Sequence, residues 1–211
     1  MRVTHRSFWV FLVAIVMLLG GTLQANYEFP FEVFTNNGNY NDSPDLAPYV
    51  VVSNGEEAIV DFTFYNASVI DSSVARLYFD DGSLLAIASI INGPGTLFEE
   101  GVPGSKNLPA GETIGFYADR EFTIGADPPP SENGVDNPPP LEWVIVRFNL
   151  VEGANLQGVI NELIAGELRV GIHIISLPDG SSESAIMVVP EPTTLLLLAA
   201  GAIAVLRKRS K

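Results

Sequence analysis

With 211 residues, no cysteine and a formal net charge of −14, the chain holds no disulfide, thiolate nucleophile or Cys-based metal site, so its stability must come from an apolar core. The acidity sits in the middle: outside residues 1–25 and 190–211 the cations are Arg76, Lys106, Arg120, Arg147 and Arg169, against all but one of the 25 acids, a balance of about −19. Five scattered cations cannot build the basic surface that phosphate contacts require, which excludes nucleic acid as a partner, and the length between the ends suits one domain.

In chain order, Arg2, His5 and Arg6 come first, then an apolar run from Phe8 to Leu19 and the segment Gly20-Gly21-Thr22-Leu23-Gln24-Ala25. This is the layout of a secretory signal peptide over residues 1–25, with cleavage expected after Ala25. Leu23 is larger than the small residue usual three positions before a cut, so the exact site, and removal itself, stay open.

From there to residue 188 the apolar period is mostly two. Strands are expected over Phe29–Phe34, Tyr49–Ser53, Ala58–Tyr65, Val74–Asp80, Leu84–Ile91, Ile114–Ala118, Glu121–Ile124, Leu141–Leu150, Leu168–Leu177 and Ser184–Val189, where β-branched and aromatic residues recur. Asn54-Gly55, Asp80-Asp81-Gly82, Asn92-Gly93-Pro94-Gly95, Pro109-Ala110-Gly111 and Pro178-Asp179-Gly180 supply the bends between them. Many short strands separated by turns point to an all-β fold, an antiparallel sandwich or jelly-roll-like domain over residues 26–188.

One helix interrupts the pattern. Asn155 is suited to cap Leu156–Ala165, where Leu156, Val159, Ile160, Leu163 and Ile164 share a face and Gly166 can close the end. The segment from Asp127-Pro128-Pro129-Pro130 to Pro138-Pro139-Pro140 reads as a protruding loop, stiff in its polyproline stretches and flexible around Asn133-Gly134.

Candidate chemistry in the domain is sparse, and no enzyme is expected. His173 is its sole imidazole, placed by alternation opposite Ile172 and Ile174, and no nucleophile or orienting acid is identified for it; a G-x-S-x-G segment is missing. Glu142 beside Trp143 is the best single carboxylate for sugar chemistry, with Tyr117 and Tyr78 as further candidate sugar-stacking aromatics. Three loops gather hard oxygen ligands that Ca²⁺ could use: Asp80-Asp81-Gly82; Asp127 with Glu132, Asp136 and Asn137; and Asp179 to Glu183. None has EF-hand spacing, the first and third read more simply as turns, and no cofactor is assigned.

The last residues, 189–211, have three parts. Val189-Pro190-Glu191-Pro192 is a short extended segment, because its prolines fix their own φ and donate no backbone hydrogen bond. The run from Thr193 to Leu206, through Leu195, Leu198 and Gly201, reads as a helix apolar on every face, a membrane anchor. At about 1.5 Å per residue it covers about 21 Å of a hydrocarbon core about 30 Å thick, so the anchor is short and suited to a temporary stay. Arg207, Lys208, Arg209 and Lys211 then stop transfer, and by the positive-inside rule both charged ends remain cytoplasmic while the middle is exported.

Val189-Pro190-Glu191-Pro192, the Leu-rich run containing Gly201 and the terminal Arg207-Lys208-Arg209 together resemble the PEP-CTERM sorting signal of exported bacterial proteins. The resemblance implies recognition of the Pro-Glu-Pro residues by an exosortase, a membrane-embedded cysteine transpeptidase. Processing would follow near that motif, with transfer from the inner membrane to the cell surface or an exopolysaccharide matrix. Leu168–His173 and Asp179–Ser184 also look like the last two strands of the globular part in some such proteins, a hairpin just ahead of the tail. The expected function is that of a structural or interaction protein at the surface or in the extracellular matrix; the alternative is a carbohydrate-binding, or less readily carbohydrate-cleaving, module.

Overall fold

The computed structural model describes residues 26–189 apart from 57, 81, 103, 105, 120, 121 and 138–140. The expected signal peptide, Pro190 to Pro192, the apolar run and the basic cluster lie outside the described residues. Within them are eleven strands: β1 (Asn26–Val33), β2 (Pro48–Asn54), β3 (Ile59–Asn66), β4 (Ser73–Asp80), β5 (Leu84–Asn92), β6 (Phe98–Glu100), β7 (Ile124–Ala126), β8 (Val135–Asp136), β9 (Trp143–Leu150), β10 (Arg169–Ile175) and β11 (Glu183–Met187). Two short helices, α1 (Pro130–Asn133) and α2 (Leu156–Ala165), and a 3₁₀ turn at Gly111–Ile114 complete the fold.

The strands form one antiparallel sheet in the order β5-β9-β3-β2-β1-β11-β10-β4-β7-β6, with β8 added to β4. The two layers expected of a sandwich are thus joined into a nearly closed, barrel-like wrap, and β1 is the joint. Its Asn26–Pro30 half pairs with β2 and its Phe31–Val33 half with β11. At the far seam, the Asn92 side chain substitutes for a ladder: Asn92 Nδ2 donates to the Phe98 carbonyl at 3.2 Å, and Phe98 N–H donates to Asn92 Oδ1 at 2.7 Å. Alternation fills the interior. Val50, Val52, Phe62, Phe64, Val144, Val146 and Phe148 from one side meet Leu77, Phe79, Val170, Ile172 and Ile174 from the other. Phe79 reaches across edge-on to Phe62 at 5.2 Å and Phe148 at 4.7 Å, the geometry that ring quadrupoles favour.

The outer face beyond β4 and β10 is covered as well. Tyr78, Leu108 and Phe116 form a second cluster there, and Gly171 admits it, since a Cβ at that position would lie 2.6 Å from the Leu108 side chain. This accounts for one failure of the period-two reading: Ile114–Ala118 is no strand. Ala110 and Gly115, both at positive φ, bracket the 3₁₀ turn, and Phe116 turns inward. Side chains then replace a ladder, with Asp80 Oδ2 accepting from Tyr117 N–H at 3.2 Å and Asn107 Oδ1 from Ala118 N–H at 2.9 Å.

Helix α2 has the expected caps, Asn155 Oδ1 accepting from Gly158 N–H at 3.0 Å and Gly166 closing at φ 73. Val159, Ile160 and Leu163 are buried, but Ile164 is exposed. The Pro-rich segment does not protrude over its described part. Asp127 N–H donates to the Leu97 carbonyl at 2.8 Å and Leu97 N–H to the Asn133 carbonyl at 2.9 Å, so α1 is strapped to the residue just before β6. Among the described residues no helix is long and apolar enough to cross a membrane.

Candidate functional site

The chain leaves the domain along β1. Strands β10 and β11 form the expected hairpin, and β11 runs beside β1 with Phe31 opposite Met187, Glu32 opposite Ile186 and Val33 opposite Ala185. The last ladder bond is from Val188 N–H to the Pro30 carbonyl, 2.9 Å, and Val189 still packs on the core. Two neighbouring clefts of about 370 and 470 Å³ flank this exit; both touch Phe31 and Leu46, and the larger adds Glu28, Pro30 and Tyr49.

The hairpin turn is fastened to the loop after β1 by two acids. Glu183, fully buried, accepts from Thr35 Oγ1 at 2.5 Å, Asn37 N–H at 3.0 Å and Gly38 N–H at 2.9 Å. Asp179 accepts from the Ser181 hydroxyl and backbone and from the Asn39 backbone and side chain, bonds that hold its carboxyl down at about 2. Gly38 is required by this closeness, because a Cβ there would fall 2.1 Å from Ser181 Oγ. The oxygen-rich loops singled out for Ca²⁺ are engaged in the same way. Asp80 pairs with Arg169, Asn137 joins a buried network with Ser68, Ile70 and Ser72, and Glu142 Oε2 accepts from Asp136 N–H at 2.8 Å. Among the described residues no group of three or more acids or histidines is placed to hold a metal.

Of the sugar-stacking candidates, Tyr117 is exposed, but Tyr78 is buried, correcting its assignment to the surface. Burial pushes its hydroxyl up to about 12, against the nearby Arg76 guanidinium. Trp143 is half-buried and its indole lies against Gly93. It ends a cross-strand row that sequence reading missed: Tyr49 lies opposite Tyr65, and Tyr65 opposite Trp143, on the outer face of the sheet. Two tyrosines sixteen residues apart carry no local signal of this; only the β2–β3 register unites them. The tyrosine rings stack on each other at 4.9 Å and so use their faces internally. A bidentate pair, Arg147 to Asp61 at 2.7 Å for both bonds, crosses the same face.

The structure does bring two carboxylates together. Burial raises the carboxyl pKa of both Asp136 and Glu142, and for Glu142 the Asp136 charge adds to it. Asp136 Oδ1 is buried and, among the described residues, has no hydrogen-bond partner. His173 lies away from that pair in the register, opposite Arg76 and Ser184, half-buried on the outer face as alternation requires. Its pKa is lowered by burial and then by Arg76, with a hydrogen bond to the Glu183 backbone opposing.

The apolar and basic parts beyond Val189 carry the decisive pattern. Residues 188–210 match the PEP-CTERM protein-sorting motif. The PEP-CTERM match begins at Val188, the residue that makes the last ladder bond, so motif and domain abut with no stalk between them. It marks the chain as an exported substrate for exosortase processing, sorted at the bacterial cell envelope. No curated protein and no solved structure matches the chain.

Proposed function

We propose that this chain is a structural or interaction protein whose β-domain is displayed on the surface, or released into the exopolysaccharide matrix, of a bacterium. Residues 1–25 serve as signal peptide, 26–188 as cargo, and 189–211 as sorting signal, apolar anchor and cytoplasmic basic stop. The wrapped sheet acts as a sandwich-like or jelly-roll-like shell, and the anchor holds the protein in the inner membrane only until processing. The observation that carries this reading is the PEP-CTERM match starting at the last paired residue of a nearly closed, strongly acidic β-domain. Catalysis forms no part of it. Glu142 is spent on fastening Asp136, and His173 faces Arg76.

Mass spectrometry of the mature C terminus, in cells with and without the sorting enzyme, tests the proposal. A terminus near Pro190–Pro192 only when the enzyme is present is expected; an intact Lys211 in both, on protein already outside the cell, overturns it.

A carbohydrate-binding reading is favoured by one feature, the Tyr49–Tyr65–Trp143 row on the outer face. Saturable glycan-array binding abolished by Trp143→Ala would establish it; the self-stacking of the two tyrosines favours the first reading.

A further inference from the structure

Strand β1 forks away from β2. Their register ends where Pro30 stands opposite Tyr49, and from Phe31 on β1 runs beside β11. Past the fork, the β2 side of Phe31–Val33 looks across a cleft of about 370 Å³ to the loop Asn41–Leu46. Backbone bonds set that loop as a wall. Ser43 N–H donates to the Tyr40 carbonyl and Leu46 N–H to the Ser43 carbonyl, both at 3.2 Å, while the Asp45 carbonyl accepts from Val69 N–H at 2.8 Å. The adjoining cleft of about 470 Å³ continues the trough past Leu46 to Tyr49 and Ala67. Phe31 and Leu46, both nearly buried, line both clefts and give the trough one apolar floor.

Carboxylates stand at its two ends. Glu28 lines the larger cleft and Glu32 with Asp42 the smaller, and all three are exposed. Glu28 and Glu32 share one face of β1, and at about 3.3 Å per residue they are separated by about 13 Å along the strand. Neither of the ion pairs among the described residues, Arg147 with Asp61 and Arg169 with Asp80, draws on these acids.

We propose that this trough docks an extended, cationic segment of a partner protein. An apolar residue of the segment sits on the Phe31–Leu46 floor, and basic residues on either side of it, four positions apart, reach Glu28 at one end and Glu32 with Asp42 at the other. Burial on the floor supplies affinity, and the carboxylates select the sign and spacing of the charges. A neutral sugar chain would leave the three carboxylates unanswered, and a second copy of the domain, itself near −19, would be repelled by them. The proposal gives partner chemistry to the interaction role argued above and rests on that role for its setting outside the cell; binding in the trough does not depend on it.

The probe is a capped seven-residue peptide in a serine background, with arginine at its second and sixth positions and leucine at its fourth. It carries a fluorophore and is titrated by anisotropy against the full-length chain in non-ionic detergent. Saturable one-to-one binding is expected. Glu32→Gln with Asp42→Asn should weaken it by about tenfold, and serine in place of the peptide's leucine by about fivefold or more. Glu99→Gln with Glu100→Gln removes the same charge from the exposed part of β6 and should leave the affinity within about twofold.

Equal weakening by the two double substitutions would reveal attraction to net charge alone and overturn the proposal. So would a lack of saturable binding, indifference to the leucine, or equal affinity for a peptide whose arginines are adjacent. A chain that is never processed in cells sinks the sorting role and leaves these titrations to decide the docking site by themselves.

Discussion

Glu183 offers a sharp separation between a structural anchor and a calcium ligand. Its carboxylate is fully buried and receives three donors from Thr35, Asn37 and Gly38, all on the loop after β1. Hydrogen bonds to a charged group contribute about 1.5–3 kcal/mol each when buried, but part-exposed amides recover some of that from water. Allowing about 1 kcal/mol for each amide and about 2 for the threonine hydroxyl, Glu183→Ala should cost about 3–5 kcal/mol. For a domain of this length each kcal/mol moves the melting temperature by about 2–4 °C, so a drop of about 10–15 °C is expected. Glu183→Gln keeps an oxygen for the two amides and can donate to the Thr35 hydroxyl, so its cost should be about 1 kcal/mol. Thermal unfolding of residues 26–188 by far-ultraviolet circular dichroism, with calcium and with chelator, reads both. Equal melting temperatures for the two variants would refute the anchoring argument, as would a calcium-induced rise in the unsubstituted domain that Glu183→Ala abolishes.

Two titrating groups give predictions of opposite sign. His173 has a lowered pKa in the fold, so the unfolded chain takes up its proton first; its contribution is full above about 6.5 and is lost as pH falls below that. Urea midpoints should decline between pH 7.5 and 5.5, and His173→Gln should flatten that decline; an unchanged slope would contradict the assignment. Asp136 has a raised pKa, so its contribution is present below about 3.8 and is lost as pH rises through the folded value. Asp136→Asn should therefore raise the urea midpoint at pH 7 and leave it unchanged at pH 3, and a lower midpoint at pH 7 would show that the buried carboxylate is needed.

Those residues also show where sequence reading succeeds and where it stops. The expected strands from Tyr49 to Ile91 and helix α2 with both caps are local matters of period, turn and capping residue, and they lie where the alternation places them. Phe116 and Tyr78 defeat the same logic because they belong to an interior outside the sheet, made by a loop folding back over β4 and β10. Strands β6 and β8 are too short to show a period, and their partners are set by α1 and the Pro-rich segment strapped beside them. The sorting tail is legible because its pattern is contiguous. The role of Glu183 is not, since its donors lie some 145 residues away in the chain and only the β1–β11 pairing brings them near.

Strand β1 links the fold to the sorting motif. It joins the two halves of the sheet by changing partner at Phe31, with β2 alongside Asn26–Pro30 and β11 alongside Phe31–Val33. A ladder ending at Val188 closes enough of the sheet to bury Phe29 and Phe31, and it releases the chain at the first residue of the PEP-CTERM match. The same few residues therefore close the β1–β11 ladder up to Val188 and lead without a break into the sorting motif that begins there.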